Sequence, residues 1–551
     1  MDLSDYALSA MTAAQARLAT SGHNLNNATT PGYSRQEVVV TTAGAQDTGH
    51  GYIGQGVTVQ SVQRSVNDFI NQQLNGAQTR ESALDAYGTQ ISQINNLFAD
   101  RTVGLYPALQ TFFSGLQGVA STPADPAARE EAIGSGNSLV GQLNSTNDFL
   151  NAQREDVNGQ ISTTVTQINA AVARINTLNQ QITAATGASN GQPPNDLLDQ
   201  RDQEVANLNK LVNVTVINQN GNYTLTVGNG NLLLAGTTQF NLVARPSDAD
   251  PTETSVYASV PSGPNGKMSQ TPIADSNLSG GSLGGLLSYR DNALDPLQKQ
   301  VGLLATGLAL SINATQTQGL DLNGNAGQPM FTIGQPGITG NAKNLGTATV
   351  SASLNMNGAQ DLKASDYTLK FDGTNYTLTR QSDNTTVYSG TSLSGVSVDG
   401  MTVSLSGSAA AGDSWTISPV SQGAGSIQMV MTSPDGIAAA DSDGGTANGN
   451  NALTMANLQN TKTLDGGLMS FSDVYSQIVN QVGEQTQQNS DNLTAQQALV
   501  TQNYNAQQSV SGVNVDEEYV NIQQYQNQYQ AAAKLVSVSD SLFQTLLGVM
   551  S

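Results

Sequence analysis

The sequence predicts an α+β multidomain protein with coiled-coil-forming terminal helices, a central α-helical bundle domain and two mainly-β outer domains. Three observations lead to this fold class. Near both chain ends, small or apolar residues recur at alternating spacings of three and four, as on one seam of a helix. The same spacing continues for four heptads within residues 140–186. In 209–283 and 335–435, apolar residues instead alternate with polar ones, which is typical of half-buried strands.

Length and composition exclude several classes of protein. The chain has 551 residues and a net charge of −22, so we expect three or four domains and no nucleic acid as a partner. It has no cysteine, so it has neither disulfides nor thiolate ligands. No apolar stretch is long enough to cross a bilayer, which predicts no membrane insertion. The first residues also lack the basic and apolar regions of a signal peptide.

A first helix is predicted over residues 4–28. Its seam carries eight small or apolar residues: Ser4, Ala7, Met11, Ala14, Leu18, Ser21, Leu25 and Ala28. The helix should end before Pro31, because proline disfavours the α conformation of the residue before it. Two β-like runs, 37–42 and 57–62, follow around a glycine-rich loop, and a second helix is predicted from Val66 to Phe98.

The clearest periodicity of the chain predicts one long amphipathic helix within residues 140–186. Its seam consists of Val157, Ile161, Thr164, Ile168, Ala171, Ile175, Leu178, Ile182 and Ala185. We interpret this helix as part of a bundle in its own domain. A turn-rich break at 187–194 comes next, and Asn195 is placed to cap another helix over 196–211.

The period then changes to two, which indicates strands. Val212–Val216 alternates, and Asn220-Gly221 turns the chain into a second alternating run, a specific signal for a β-hairpin. Short β-like runs continue to about residue 280. A helical pattern returns at 284–315.

A separate β domain is predicted at 335–435, inserted between helical parts of the chain. Strand-like runs and turns dominate this segment, and Trp415 lies in its last run. Beyond it, a helix rich in Gln and Asn is predicted over 450–510 and a last amphipathic helix over 515–550. Both chain ends are therefore helices that carry a seam.

Little in the sequence favours catalysis or metal binding. The only histidines are His23, beside the first seam, and His50, in a glycine-rich loop. Residues 49–54 match the GxGxxG string, but a β-like run follows where dinucleotide binding needs a helix, so a hairpin loop fits better. Residues 321–327 resemble half of a calcium loop without its sixth-position Gly and its Glu, and predict an Asp/Asn turn. We therefore expect that the protein is not an enzyme and that it has no cofactor or metal site.

Seven short sequence motifs resemble those of one known family. Residues 21–35 (SGHNLNNATTPGYSR) look like the N-terminal signature of bacterial flagellar axial proteins, and residues 511–519 with 524–534 resemble their C-terminal signature. Residues 194–202 (PNDLLDQRD), with GGLLSYR at 284–290, LDLNGN at 320–325 and GDSWTI at 412–417, narrow the resemblance to the hook-associated, hook–filament junction protein family.

The resemblance implies a structural subunit of the flagellum and its partners. It implies a homo-oligomeric ring between the hook protein and the neighbouring hook-associated protein on the filament side. It also implies a transient cytoplasmic stage in which an export chaperone holds the C-terminal segment. The flagellar type III export apparatus would then deliver the chain to the extracellular flagellum.

The resemblance and the patterns together divide the chain into layers. The expected division is 1–35 and 516–551 as terminal helices of an inner coiled-coil layer, 36–208, 284–330 and 440–515 as the helical bundle domain, 209–283 as a β domain and 335–435 as an inserted β domain.

Two groups of residues are expected in assembly contacts. The N-terminal group is Ala7, Met11, Ala14, Leu18, Leu25, Asn26, Asn27, Pro31, Gly32, Tyr33 and Arg35. The C-terminal group, expected to serve both assembly and the chaperone, is Ile522, Tyr525, Tyr529, Val536, Phe543 and Leu547.

Two alternatives stay open on the sequence. One is another flagellar axial protein such as the hook subunit, against which the 194–202 string and the long 140–186 helix argue. The other is a secreted adhesin or enzyme with helical ends. An enzyme of this composition would have to rely on carboxylates alone, as glycosidases do.

Overall fold

The computed structural model describes residues 3–47, 49–99, 104–262 and 267–550. Its first helix, α1, spans Leu3–Asn27 and ends before Pro31, as predicted. Four strands follow: β1 (Gln36–Thr42), β2 (Ala45–Asp47), β3 (Tyr52–Gly54) and β4 (Val57–Arg64). β1 and β4 pair antiparallel and pack on α1. The assignment of the whole segment 36–208 to a helical bundle is therefore wrong for residues 36–64, whose alternating β-branched residues form a strand pair.

Four helices come next. They are α2 (Asp68–Ala99), α3 (Leu105–Ser121), α4 (Pro126–Ala188) and α5 (Asn195–Leu211). The long predicted helix is confirmed and is longer than the seam suggested, with 63 residues and a length of about 95 Å. Asp125 caps its first turn by accepting a hydrogen bond from Ala127 N–H. Asn195 is not a cap, because it is the first residue of α5 and its amide donates to Val62 O instead.

The first β region consists of two antiparallel sheets beside α4. One contains β5 (Val214–Gln219), β6 (Asn222–Val227), β7 (Asn231–Ala235) and β8 (Thr238–Gln239), and the other contains β9 (Leu242–Pro246), β10 (Thr254–Ser262) and β11 (Lys267–Pro272). The hairpin prediction is confirmed, with Asn220 and Gly221 both at positive φ between paired Gln219 and Asn222. Asn169 of α4 bonds both backbone groups of Leu242 and so fixes β9 to the helix.

The helix predicted at 284–315 is built in two parts. α6 (Gly281–Tyr289) continues through a π-helical turn at Arg290–Leu294 into α7 (Asp295–Gln316). Gly285 allows α6 to lie directly on α2, since a Cβ at this position would stand 2.2 Å from Ala83 O. α7 is buried along nearly its whole length and forms the centre of the main hydrophobic core.

The inserted β domain has its own core. After β12 (Phe331–Thr332), its strands are β13 (Gly337–Gly340), β14 (Thr349–Leu354), β15 (Tyr367–Phe371), β16 (Tyr376–Arg380), β17 (Thr385–Gly390), β18 (Val396–Val398), β19 (Met401–Ser406) and β20 (Ser414–Ser418). They form a sheet of five strands and a sheet of three. The buried residues between them, among them Tyr367, Leu378, Val403 and Trp415, form a cluster separate from the main core.

The predicted insert ends too late at residue 435. After β20 come α8 (Gly423–Ser426) and β21 (Gln428–Met429), and β21 pairs with β12 of the helical body. Ala424, Ile427 and Ile437 are buried in the main core. The first and last strands, β13 and β20, are hydrogen-bonded neighbours in which Gly337 faces Ser418. We therefore take 337–418 as the inserted domain.

The chain ends with three helices, α9 (Asn450–Asn457), α10 (Phe471–Ser511) and α11 (Val515–Met550). A capping box between Ser470 and Asp473 starts α10. α10 packs along α2, and α11 packs chiefly along α1. Within the described ranges, no helix has both the length and the apolar character needed to cross a membrane.

Candidate assembly site at the base of the terminal helices

Three of the motifs quoted above meet at one place. The loop after α1 (residues 28–35), the start of α5 (194–202) and the start of α11 (511–519) are joined by direct hydrogen bonds and ion pairs. They are far apart in sequence, so the tertiary fold alone brings them together. We call this region the base site.

Asn24 is the centre of the base site. Its side chain is 1% exposed and uses all of its hydrogen-bonding groups. Its amide nitrogen donates to Gln36 O at 2.9 Å and to Glu518 Oε1 at 3.2 Å. Its amide oxygen accepts from Gln36 N–H at 2.9 Å and from the Tyr33 hydroxyl at 2.7 Å. One buried amide thus ties the end of α1 to its loop, to β1 and to α11.

A buried ion-pair group holds the loop on α5. Arg64 Nη1 of β4 lies 2.7 Å from Asp199 Oδ1 and 2.9 Å from Asp202 Oδ2. The second oxygen of Asp199 accepts Ser34 N–H at 2.9 Å. Burial alone would lower the pKa of Arg64, but the neighbouring Asp202 and Asp199 carboxylates raise it above its usual value. The guanidinium is therefore charged at all ordinary pH.

Arg201 extends this network to the first β region. Its guanidinium carbon lies 3.5 Å from the centre of the Tyr223 ring, and its Nη1 donates to Asn179 Oδ1 and Gly221 O. The Tyr223 hydroxyl donates to Asp202 at 2.7 Å. Burial, with the Asp202 charge, raises the pKa of Tyr223 to about 12, so the hydroxyl stays a donor. The β5–β6 hairpin is thereby locked to the base site.

Arg35 connects the loop to the C-terminal segment. Its backbone N–H donates to Ser511 O at 2.8 Å, and its side chain lies 3.4 Å from Glu517. Ser65, after β4, donates its backbone N–H to Arg35 O and its hydroxyl to Val510 O. The passage from α10 to α11 is fixed at this point.

The terminal helices run antiparallel from the base site. Asn24 of α1 forms a hydrogen bond with Glu518 of α11. Arg17, seven residues before Asn24, lies 5.6 Å from the ring centre of Tyr525, seven residues after Glu518. On α1 the buried residues include Ala7, Ala14 and Ser21, which are one heptad apart. On α11 the buried residues Glu518, Ala532 and Ser539 fall on one heptad row together with Tyr525. The contact is a narrow seam of mostly small side chains.

The residues predicted for assembly differ in exposure. In the N-terminal group, Ala7 and Ala14 are buried, Met11, Leu18, Leu25, Asn27, Tyr33 and Arg35 are partly buried, and Asn26, Pro31 and Gly32 are exposed. In the C-terminal group, Ile522, Tyr525 and Val536 are partly buried, whereas Tyr529, Phe543 and Leu547 are 36%, 60% and 55% exposed. A role of these residues in assembly stays a prediction.

The exposed part of the loop borders a groove of about 530 Å³ between the loop, α4 and α5. Gly32 has φ +79, and a Cβ at this position would lie 2.7 Å from Gln203 Oε1. Only glycine meets both the backbone and the space requirement without strain. Gly32 therefore shapes the wall of this groove.

Several residues of the base site were missed by sequence reasoning. They are Asn24, Ser34, Arg64, Asp199, Asp202 and Glu518. All of them except Arg64 lie inside the quoted motifs, so the motif strings included these residues without showing their contacts. Arg64 lies outside these strings, and its role follows only from the fold.

The base site contains no arrangement suited to catalysis. His23 lies 3.2 Å from Asp196, and both side chains are substantially exposed to solvent. In the part of the chain that the structure describes, no cluster of three or more His, Asp or Glu side chains is placed to hold a metal ion. At 321–325, Asp321 Oδ1 accepts the backbone N–H groups of Asn323 and Asn325, which is the predicted Asp/Asn turn. The hydrogen bonds and ion pairs of the base site hold its chain segments rigidly together.

Paired helical ends, a helical body and separate β domains are the architecture of a structural protein, and four family models place it among the flagellar axial proteins. Models of the flagella basal body rod protein and of the FlgEFG basal body rod C-terminal region match residues 5–33 and 506–549. The FlgK helical domain model matches 91–331, and the flagellar hook-associated protein 1 D2-like domain model matches 339–419. These matches cover both termini and the body.

Two relatives that match over their full length show the family to which the chain belongs. The chain is 40% identical to flagellar hook-associated protein 1 of Salmonella typhimurium over 557 residues, 99% of each chain. It is 37% identical to the Escherichia coli K12 protein of the same name over 98% of each chain. The chain therefore belongs to the flagellar hook-associated protein 1 (FlgK) family, a family of flagellar structural proteins and not of enzymes.

A solved structure supports the same conclusion. The flagellar hook junction protein FlgK from Burkholderia pseudomallei aligns with a TM-score of 0.74 at 30% identity, covering 80% of this chain and 100% of that chain. The prediction of a multidomain protein with helical termini, a helical centre and β domains is confirmed.

Proposed function

We propose that this protein is the structural subunit that forms the junction between hook and filament and is required for filament assembly. The observation that carries the proposal is the state of α11. This helix packs chiefly on α1, yet it exposes a series of large apolar side chains: Tyr519, Val520, Leu535, Val538, Leu542, Phe543, Leu546, Leu547 and Val549. A helix with so much exposed apolar surface needs further helices to cover it.

We further propose a homo-oligomeric ring in which α1 and α11 form the inner layer. Neighbouring copies would cover the apolar side chains of α11, with the hook protein on one side of the ring and the next hook-associated protein on the filament side. The first β region and the insert would face outward. The narrow seam between α1 and α11 supports this arrangement, because it leaves the rest of both helix surfaces available.

We propose export through the flagellar type III apparatus, with a cytoplasmic chaperone on the C-terminal segment. Phe543 is 60% exposed and Leu546 is 63% exposed. Apolar side chains this exposed support the proposal that a chaperone covers this segment before assembly. After export the protein would be extracellular, at the hook–filament junction.

Gene deletion tests the proposed function. Cells without the gene should make hooks but no filaments and should release flagellin into the medium, because nothing would join the filament to the hook. Electron microscopy of the cells and immunoblots of the medium measure this. Restored filaments on re-expression of the intact chain are the control, and normal filaments in the deletion strain would refute the proposal.

Removing the insert should leave assembly intact. We expect a chain in which Gly-Ser replaces residues 337–418 to build junctions that carry filaments, since Gly337 and Ser418 are paired neighbours. Leu303 and Leu310 should be changed to Gln in the same chain, because they pack with Ala359 and Leu362 of the insert. Hooks without filaments, despite normal export of this variant, would make the insert part of the junction.

A further inference from the structure

We propose that a buried cluster of ion pairs between the first β region and the helical body takes up protons as the chain folds, so that mildly acidic solution stabilises this joint. The cluster, which we call the shared-arginine cluster, consists of two arginines and four carboxylates: Arg154, Arg290, Glu253, Asp275, Asp291 and Asp295. None of these residues belongs to α1 or α11, so the proposal does not depend on the proposed function.

The shared-arginine cluster joins elements that are far apart in the chain. Arg154 lies on α4, and Asp295 begins α7. Glu253 lies in the loop between β9 and β10 of the first β region. Arg290, in the π-helical turn, donates to the backbone oxygen of Thr254 at 2.7 Å. The cluster therefore holds the first β region on the helical body.

Arg154 is shared by two carboxylates. Its Nη1 lies 3.1 Å from Glu253 Oε1, and its Nη2 lies 2.7 Å from Asp295 Oδ1. Nη2 also donates to Gln298 Oε1 at 2.6 Å. The side chains of Arg154 and Asp295 are each 14% exposed, so little water screens the repulsion between the two carboxylates.

Arg290 repeats this arrangement. Its side chain is 2% exposed and contacts Asp275 through Nη2 and Asp291 through Nε, the second contact at 3.0 Å. Asp275 is the more buried of these two carboxylates, so the cost of burying a charge falls mainly on it. In the whole cluster, four negative charges face two positive ones. Protonation of one carboxylate at each arginine would balance the charges.

The charged groups around the cluster do not supply the missing positive charge. Lys299 of α7 faces Asp295, but its Nζ is paired with Asp366 of the insert at 2.9 Å. Asp156 of α4 adds a further negative charge nearby. The side chains of α2 and α10 that line the cleft beside Asp275 and Asp291 are uncharged, among them Tyr87, Gln485 and Asn489.

The burial of two of the carboxylates supports proton uptake at each arginine. Burial raises the pKa of Asp295 from its ordinary 3.8 to about 7, and Glu253 adds to this shift while Arg154 opposes it. Burial likewise raises the pKa of Asp275 to about 6, against the effect of Arg290. Between about pH 4 and pH 7 the folded chain therefore binds more protons than the unfolded chain, and its stability falls as the pH rises.

Urea unfolding of the purified full-length chain at pH 6 and pH 8, followed by circular dichroism, tests the proposal. Leu294 and Leu297, beside the cluster, belong to the main core, so the transition of that core includes the cluster. From pH 6 to pH 8 the unfolding equilibrium constant should rise about tenfold through Asp295 and about twofold through Asp275, or about twentyfold together.

Three variants separate the cluster from other sources of pH dependence. Asp295→Asn removes the titrating group and keeps the shape of the side chain, so its unfolding constant should change only about twofold between the two pH values. Glu253→Gln should also weaken the pH dependence, because Arg154 would then face a single carboxylate. Asp148→Asn is the matched control and should keep the twentyfold change, because Asp148 is an exposed carboxylate of α4. Each chain is compared with itself at two pH values, so a constant loss of stability in a variant does not affect the result.

Three results would overturn the proposal. An unfolding constant of the unaltered chain that stays level or falls from pH 6 to pH 8 would show that folding takes up no protons in this range. An equal change in Asp295→Asn and in the unaltered chain would show that Asp295 is not the group that titrates. Full pH dependence in Glu253→Gln would show that the sharing of Arg154 is not the cause.

Discussion

A chain that ends at Ser511 should keep the main thermal unfolding transition of the intact protein and yet fail to form junctions or to bind the export chaperone. α11 packs chiefly on α1 and contributes one residue, Ala532, to the buried apolar set of the described residues. The main core is formed by α2–α10 and the first β region and contains no described residue of α11, so we expect it to stay intact without that helix. Calorimetry of the purified truncation, beside a motility and filament assay in a deletion strain, measures both parts of this expectation.

The apolar surface of α11 is the reason to expect so large an effect on assembly. Fully burying one large apolar side chain contributes roughly 1.5–3 kcal/mol. Five residues of the predicted C-terminal group are partly or largely exposed in the single chain: Ile522, Tyr529, Val536, Phe543 and Leu547. A chaperone inside the cell, or neighbouring subunits outside it, can therefore still bury these side chains and gain that free energy.

A milder change should act on assembly in the same way. Val536→Asp with Phe543→Asp places two charges on surface that becomes dry only on assembly, where an unpaired charge is costly. Gln523→Asp with Gln530→Asp is the matched control, because both glutamines are exposed polar residues of the same helix. The control chain should support filaments, and the Val536/Phe543 chain should not.

Two outcomes would contradict this expectation. A truncated protein that melts much lower than the intact one would make α11 part of the core of the single chain. Filaments that grow on the truncated protein would show that α11 is not the assembly element.

Ile168→Asp should destabilise the helical body severely. Ile168 is 0% exposed within the main core, and the adjacent Asn169 fixes α4 to β9 through both backbone groups of Leu242. An aspartate there would be a buried charge without a partner, with an expected cost of about 3–5 kcal/mol. Purified protein should lose its cooperative helical transition, which circular dichroism during heating measures. Ile175→Asp, at another 0% exposed position of the seam, should act alike.

Ala170→Asp is the control for this prediction. Ala170 lies two residues away on the same helix and is exposed, so the same new charge remains solvated and the transition should be retained. An unchanged melt for Ile168→Asp would instead place the predicted seam at a surface or an assembly contact.

Local patterns were reliable where one periodicity ran over many residues. The seam of α4 and the Asn220-Gly221 hairpin are examples, because side-chain spacing and turn residues follow directly from backbone geometry. Helix α3 was not predicted, although its buried residues Leu105, Leu109 and Leu116 recur at helical spacing. The spacing of these leucines is therefore a local signal for a helix.

The end of the insert could not be found from local pattern. Ile427 and Ile437 follow the strand-rich segment without a break in composition, yet they are buried in the main core. Which of two cores receives an apolar residue depends on where the chain returns in space. The pairing of β21 with β12 decides this, and that pairing joins residues about a hundred positions apart.

The sequence by itself determined the fold class, the helical ends and the family resemblance, because heptads, turn dipeptides and motif strings are local features. Only the tertiary structure decided that the motifs at 21–35, 194–202 and 511–519 form one site. It also showed that Asn24, and not its predicted neighbour Asn26, is buried at the centre of that site. Hydrogen bonds between distant segments depend on how each helix is rotated when it packs, and no spacing within a single segment contains that information.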